Sequence, residues 1–123
     1  MNVYHKIAMS RYAGVMSDRE LVDTDEWVVT ALKAIAHPQR MAIMRWLRDP
    51  ESFPPQLEPA SEVGVCLKHI QARMGASQST VSQYVAVLQR ADLVHCTKIG
   101  QWSHYRRNED ALARLNQLLP EII

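Results

Sequence analysis

The sequence predicts a mainly α-helical domain with one small β-hairpin, in the winged helix-turn-helix order α-α-α-α-β-β-α. Three observations carry this. Apolar residues recur at helical spacing in several separate blocks, with Val81, Val85 and Leu88 the clearest stripe. Gly75-Ala76 divides two of those blocks by a tight turn, which makes a helix-turn-helix. Two short β-rich runs then flank Ile99-Gly100-Gln101, a hairpin with glycine at its tip.

The elements follow in order. Residues 1–20 read as an N-terminal arm, short helix or loose segment, and a candidate contributor to dimerisation; residues 21–123 form the domain proper. Asp25 to Ala36 is a helix capped by Thr24 or Asp23, with Trp27, Ala31, Leu32 and Ile35 on one stripe. His37-Pro38 resets the chain, because proline suits the first position of a new helix. That helix runs to about Arg48, with Met41, Ile43, Met44 and Leu47 as its apolar positions. Pro50, Pro54, Pro55 and Pro59 make 49–59 a rigid loop, expected to pack through Phe53 and Leu57. Val65 to Met74 reads as a short helix, and Ser77 caps the next. Strands follow at 93–98 and 102–106, then a helix from Glu109 to Leu119 that Pro120 stops.

Composition sets the class. With 123 residues, 47% hydrophobic and 22% charged, the chain fits one folded domain. No apolar run is long enough for a membrane span, and the N-terminus lacks a secretory pattern, so a cytoplasmic protein is expected. Two cysteines, Cys66 and Cys96, make no disulfide framework. The net charge of +1 is unevenly spread. Residues 61–107 carry six basic side chains against two acidic, whereas the flanking segments are slightly negative. Positive charge therefore gathers on the helix-turn-helix and hairpin, as contact with phosphate requires.

Opposite the apolar stripe, Gln78, Ser79, Ser82 and Gln83 share one helix face. These side chains are short, uncharged and able to donate and accept, which suits reading base edges in a major groove. A solvated helix face more often carries Glu and Lys. Nucleophile–base pairs at known spacing, Gly-rich phosphate loops and clustered carboxylates are lacking, so enzymatic activity is not expected.

At this point the chain resembles the ArsR/SmtB family of bacterial transcriptional regulators. The matching residues are Leu32-Lys-Ala-Ile-Ala-His-Pro-Gln-Arg40, Ser77-Gln-Ser-Thr-Val-Ser82, Leu88-Gln-Arg-Ala-Asp-Leu-Val94, and Gly100 and Tyr105 of the wing. The resemblance implies a homodimer on inverted-repeat operator DNA, usually a repressor, with the first and last helices at the dimer interface. It makes Gln78, Ser79, Ser82 and Gln83 candidate base readers and puts Thr80 and Tyr84 near the backbone. Lys98, Gln101, His104 and Arg106 would touch phosphate or minor groove from the wing, His104 being the one that also suits packing within the sheet. One departure stands out: Asp92 replaces the glycine usual after the reading helix, a small stability cost.

Many relatives carry a Cys-x-Cys-Asp metal site in the helix before the reading helix. Here Cys66, Lys68 and His69 fall on those positions, and a lysine removes a ligand while repelling a cation. The final helix has Asp110 but no histidine. No metal or other cofactor is expected. Cys66 reads as a small buried residue, with a thiol- or redox-responsive role as its rival; Cys96 reads as core. His37 is expected to cap or pack, and His95 and His5 to lie on the surface. A winged helix serving only protein–protein contact is the other alternative, and the effector, if any, is open.

Overall fold

The computed structural model describes residues 17–123, of which 18–24 are described for the backbone alone. The proposed arm therefore lies almost wholly outside the described residues. Helix α1 spans Asp18–Ile35, running without a break through the expected cap at Asp23 and Thr24. Helix α2 spans Pro38–Trp46, a 3-10 turn covers Pro50–Ser52, and a short α3 covers Ala60–Val63. Strand β1 (Val65–Cys66) precedes α4 (Leu67–Met74) and α5 (Gln78–Arg90), the two helices of the helix-turn-helix. Strands β2 (Val94–Ile99) and β3 (Trp102–Arg107) form the wing, and α6 spans Glu109–Ile122.

The α1–α2 junction explains the Ala-His-Pro-x-Arg motif in structural terms. His37 is the N-cap of α2: its Nδ1 accepts from the Gln39 amide at 3.1 Å, and Pro38 begins the helix. Arg40 reaches back across the junction and donates to the carbonyls of Ala34 (2.6 Å) and Lys33 (3.3 Å), which end α1 unsatisfied. One residue caps each helix, so the angle between them is set covalently and by hydrogen bonds together.

Among the described residues the sheet has three strands, β1-β3-β2, all antiparallel. Val65 and Cys66, expected at the start of a helix, instead pair with Tyr105 and His104 of β3. Two residues cannot announce a strand by periodicity. What holds them is Gln56, whose amide nitrogen donates to Gly64 O (2.8 Å) and Glu58 O (3.0 Å) while its oxygen accepts from Cys66 N (3.0 Å). The Pro-rich loop is thereby fastened to the sheet edge, giving otherwise unpaired backbone a partner. Gly64 is required at this joint: its φ is +102°, and a Cβ there would lie 2.5 Å from the carbonyl carbon and oxygen of Tyr105. Phe53 packs into the core as expected, but Leu57 is 92% exposed, because its two neighbours rather than its own side chain anchor the loop.

The core lies between α1, α2, α4, α5 and the sheet. Val81, Val85 and Leu88 are fully buried, with Ile43, Ile70, Val65 and Leu93 against them. Each such side chain contributes about 1.5–3 kcal/mol by leaving water. In α1 the buried positions are Val28, Ala31 and Ala34, while Leu32 faces out at 40% exposure; in α2 Met41 is likewise exposed, Met44 taking the core position. Proline does not end α6: Pro120 sits inside it, and Ile123 N donates to Leu119 O at 3.0 Å. A proline this near the end forfeits one amide, and Leu115 and Leu118 keep the helix docked.

Candidate nucleic-acid interface

Helix α5 is positioned from both ends. At its start, Gly75 adopts the left-handed conformation (φ 74°) and its amide donates to Gln71 O, closing α4. Ser77 caps α5, its Oγ accepting from the Thr80 amide at 3.2 Å and donating to Thr80 Oγ1 at 2.9 Å. At its far end the turn 91–93 is fixed by neighbours: Trp27 Nε1 donates to Ala91 O (3.1 Å) and Asn108 Nδ2 to Asp92 O (2.9 Å). Asp92 takes φ 61°, the left-handed value glycine would favour.

With the apolar stripe buried, Gln78, Ser79 and Gln83 are exposed at the start of α5, and Ser82 is half-buried beside them. Thr80 is half-buried against Ser77. Tyr84, also half-buried, has its ring centroid 4.9 Å from that of His37, so the α1–α2 junction supports this flank. The N-terminal half of α5 thus presents hydroxyls and amides to solvent and no carboxylate.

The wing residues divide. Lys98 and Gln101 are exposed at the tip, where Gly100 (φ 61°) makes the turn. Arg106 is exposed but pairs with His95 near the base of the hairpin, about 16 Å of strand from the tip at ~3.3 Å per residue. His104 corrects the expectation: it is 3% exposed, its Nε2 3.9 Å from Glu58 Oε1 and its Nδ1 buried without a partner. The loop carrying Glu58 covers this face of β3, so His104 packs in the sheet and does not reach the wing surface.

Two residues unremarked in the sequence as surface groups belong here. Trp102 follows the wing turn at 48% exposure, and Lys68 Nζ lies 5.3 Å from its ring centroid, a cation–π contact joining α4 to the wing. Between them runs a cleft of about 130 Å³, also lined by Gln71, Gln78 and Gln101. An exposed aromatic beside a hairpin turn was the available signal; its pairing with Lys68 is tertiary.

The metal positions of the relatives do not fit a metal here. Lys68 places an ammonium at the middle of the triplet, and Cys66 is 3% exposed beneath the sheet edge. His69 is held below its ordinary pKa by burial, then by the Lys68 ammonium and by His104. Among the described residues no group of three or more His, Cys, Asp or Glu is arranged to hold an ion. On the inner side of the wing, burial pushes the Tyr105 phenol up to about 12, with Cys96 adding to the shift, so it stays neutral.

Relatives agree with this geometry. The chain is 32% identical over 93 residues to the HTH-type transcriptional regulator YbzH of Bacillus subtilis, spanning 74% of this chain and 93% of that protein. Over 55 residues it is 40% identical to a putative arsenical resistance operon repressor, ArsR2, of Halobacterium salinarum, covering 45% of this chain and 46% of that one. The chain belongs to the ArsR/SmtB family of winged helix-turn-helix transcriptional regulators. No family model matches it. The fold is shared with the homodimeric winged helix-turn-helix domain of Mb0332 from Mycobacterium bovis, a possible ArsR-family regulator, at 23% identity and TM-score 0.60 over 88% of this chain and 87% of that one. The family is one of transcriptional regulators and not of enzymes.

Proposed function

We propose that this ArsR/SmtB-family regulator is a repressor that binds inverted-repeat operator DNA as a homodimer, with α5 in the major groove and the wing tip beside it. The observation that carries the reading is the bare N-terminal face of α5, where Gln78, Ser79 and Gln83 stand exposed above a fully buried stripe. Their amides and hydroxyls match base edges, and Lys98 and Gln101 suit the flanking phosphates. A protein-docking module would carry exposed apolar side chains on this face.

Dimerisation through α1 and α6 accounts for apolar side chains left outside the core. Val29 (49%), Leu32 (40%) and Ile122 (46%) are exposed on these two helices. A two-fold axis there sets the two reading helices about one DNA turn apart. No described helix is long and apolar enough to cross a membrane.

The test is selection of duplex DNA from a random pool by the full chain, followed by affinity measurement with Gln83→Ala. The selected sequence is expected to be an inverted repeat. Gln83→Ala is expected to lose about 1–3 kcal/mol per half-site with unchanged thermal stability, by losing a base contact. Equal affinity for selected and random duplex refutes the reading.

A further inference from the structure

The geometry points to a backbone-phosphate site in the cleft between α4, α5 and the wing, in which Lys68 is the charged ligand and Gln71, Gln78 and Gln101 are hydrogen-bond donors. This rests on the DNA-binding reading and adds to it a backbone contact that borders the base-reading face at Gln78. The cleft has a volume of about 130 Å³ and no carboxylate lines it. Among the described residues Lys68 has no acidic partner within ion-pair distance, and the side-chain amides of the three glutamines make no hydrogen bond. Four donor groups therefore converge on one opening with nothing to satisfy them but solvent or a ligand. Polar side chains so placed suit an anion with several acceptor oxygens.

The location selects which anion. A strand whose bases face α5 must pass its backbone toward the groove that the wing enters, and this cleft separates the start of α5 from the wing tip. Trp102 acts as a positioning residue: the 5.3 Å contact with its ring holds the Lys68 ammonium over the opening and ties α4 to the wing.

The experiment uses the full chain, duplex DNA that it selects from a random pool, and random duplex of equal length. Lys68→Gln removes the charge at an exposed position and keeps a donor; circular dichroism checks that the fold is intact. A dimer loses two phosphate contacts, so the slope of log affinity against log salt is expected to fall by about 1.8. Counterion release alone then weakens binding about 60-fold at 0.1 M salt, equally on both duplexes. A scan with single neutral methylphosphonates adds the readout a structural role would not move: one position per half-site should weaken the wild type and leave Lys68→Gln unaffected. Trp102→Leu should reduce affinity with the slope kept, and Trp102→Phe should restore it.

An unchanged salt slope in Lys68→Gln overturns the site, as does a methylphosphonate profile identical in variant and wild type. A wild-type protein without DNA affinity overturns instead the reading beneath it.

Discussion

Replacing Asp92 with glycine should stabilise the protein, and the structure allows the size to be worked out. Asp92 has φ 61°, its side chain is exposed, and its backbone oxygen, not its carboxylate, accepts from Asn108. The left-handed region costs an L-residue about 1–2 kcal/mol, aspartate being among the more tolerant. Glycine removes that cost but enlarges the unfolded ensemble, returning about 0.4–1 kcal/mol. A carboxylate just past the C-terminus of α5 also opposes the helix dipole, by about 0.3–1 kcal/mol. The net gain is about 1 kcal/mol. With an unfolding entropy of about 2.1 cal/mol/K per residue over 123 residues, Tm should rise by about 4 °C at fixed protein concentration. Asp92→Asn separates the two contributions, since it removes the charge and keeps an amide tolerant of this backbone. Calorimetry should order the proteins Gly, Asn, Asp from most to least stable. A glycine variant no more stable than wild type refutes the argument and assigns the Asp92 carboxylate a stabilising contact.

Three other outcomes can be measured. Leu32→Ala should weaken the dimer about 10–50-fold by sedimentation equilibrium, because two copies each lose the exposed two-fifths of a side chain worth about 1.5–3 kcal/mol when buried; an unchanged dimer removes Leu32 from the interface. Gly64→Ala should cost more than about 3 kcal/mol in urea unfolding, since its Cβ would meet the Tyr105 backbone at 2.5 Å in a left-handed conformation. For His69 the folded state resists protonation, the imidazole lying below 6.5 through burial, Lys68 and His104. Its stability contribution is whole above pH 6.5, where both states are neutral. It is lost as pH falls, because the unfolded chain takes up the proton first. His69→Gln should therefore flatten the fall in stability between pH 7 and 5, and parallel profiles would show that His69 is not the group titrating.

Much of the fold was legible because the informative positions act locally. Ser77 caps α5, Pro38 opens α2 and Gly100 turns the wing by conformational preferences that hold in any surroundings, and the Val81-Val85-Leu88 stripe states its own burial. Where the structure departs from the expectation, the deciding group lies elsewhere in the chain. His104 is buried because Glu58 and its loop cover one face of β3, and Cys66 is a strand residue because Gln56 and His104 supply its partners. Leu57 and Met41 differ from the expectation for a plainer reason: an apolar side chain does not itself say which way its element turns. At the site, the exposed face of α5 was readable as a pattern of residue types. The junction of Lys68 with Trp102 was not, since 34 positions separate residues that only the packing of α4 on the wing brings together.

The hydrogen bonds at the two ends of α5 differ in a way that bears on how such a regulator reads DNA. The far end is bound to the helices proposed to dimerise: Trp27 of α1 and Asn108 at the cap of α6 each donate to the turn that follows it. The near end is capped by its own Ser77 and Thr80 and meets the rest of the domain through buried Val81 and the Tyr84–His37 ring contact. Rotation of α1 or α6 relative to the rest of the domain would act on the turn at Ala91 and Asp92 through these two hydrogen bonds. The spacing between two reading helices of a dimer depends on that same turn. Trp27 and Asn108 are thus the side chains by which movement of the proposed dimer helices would reach the turn that ends the proposed reading helix.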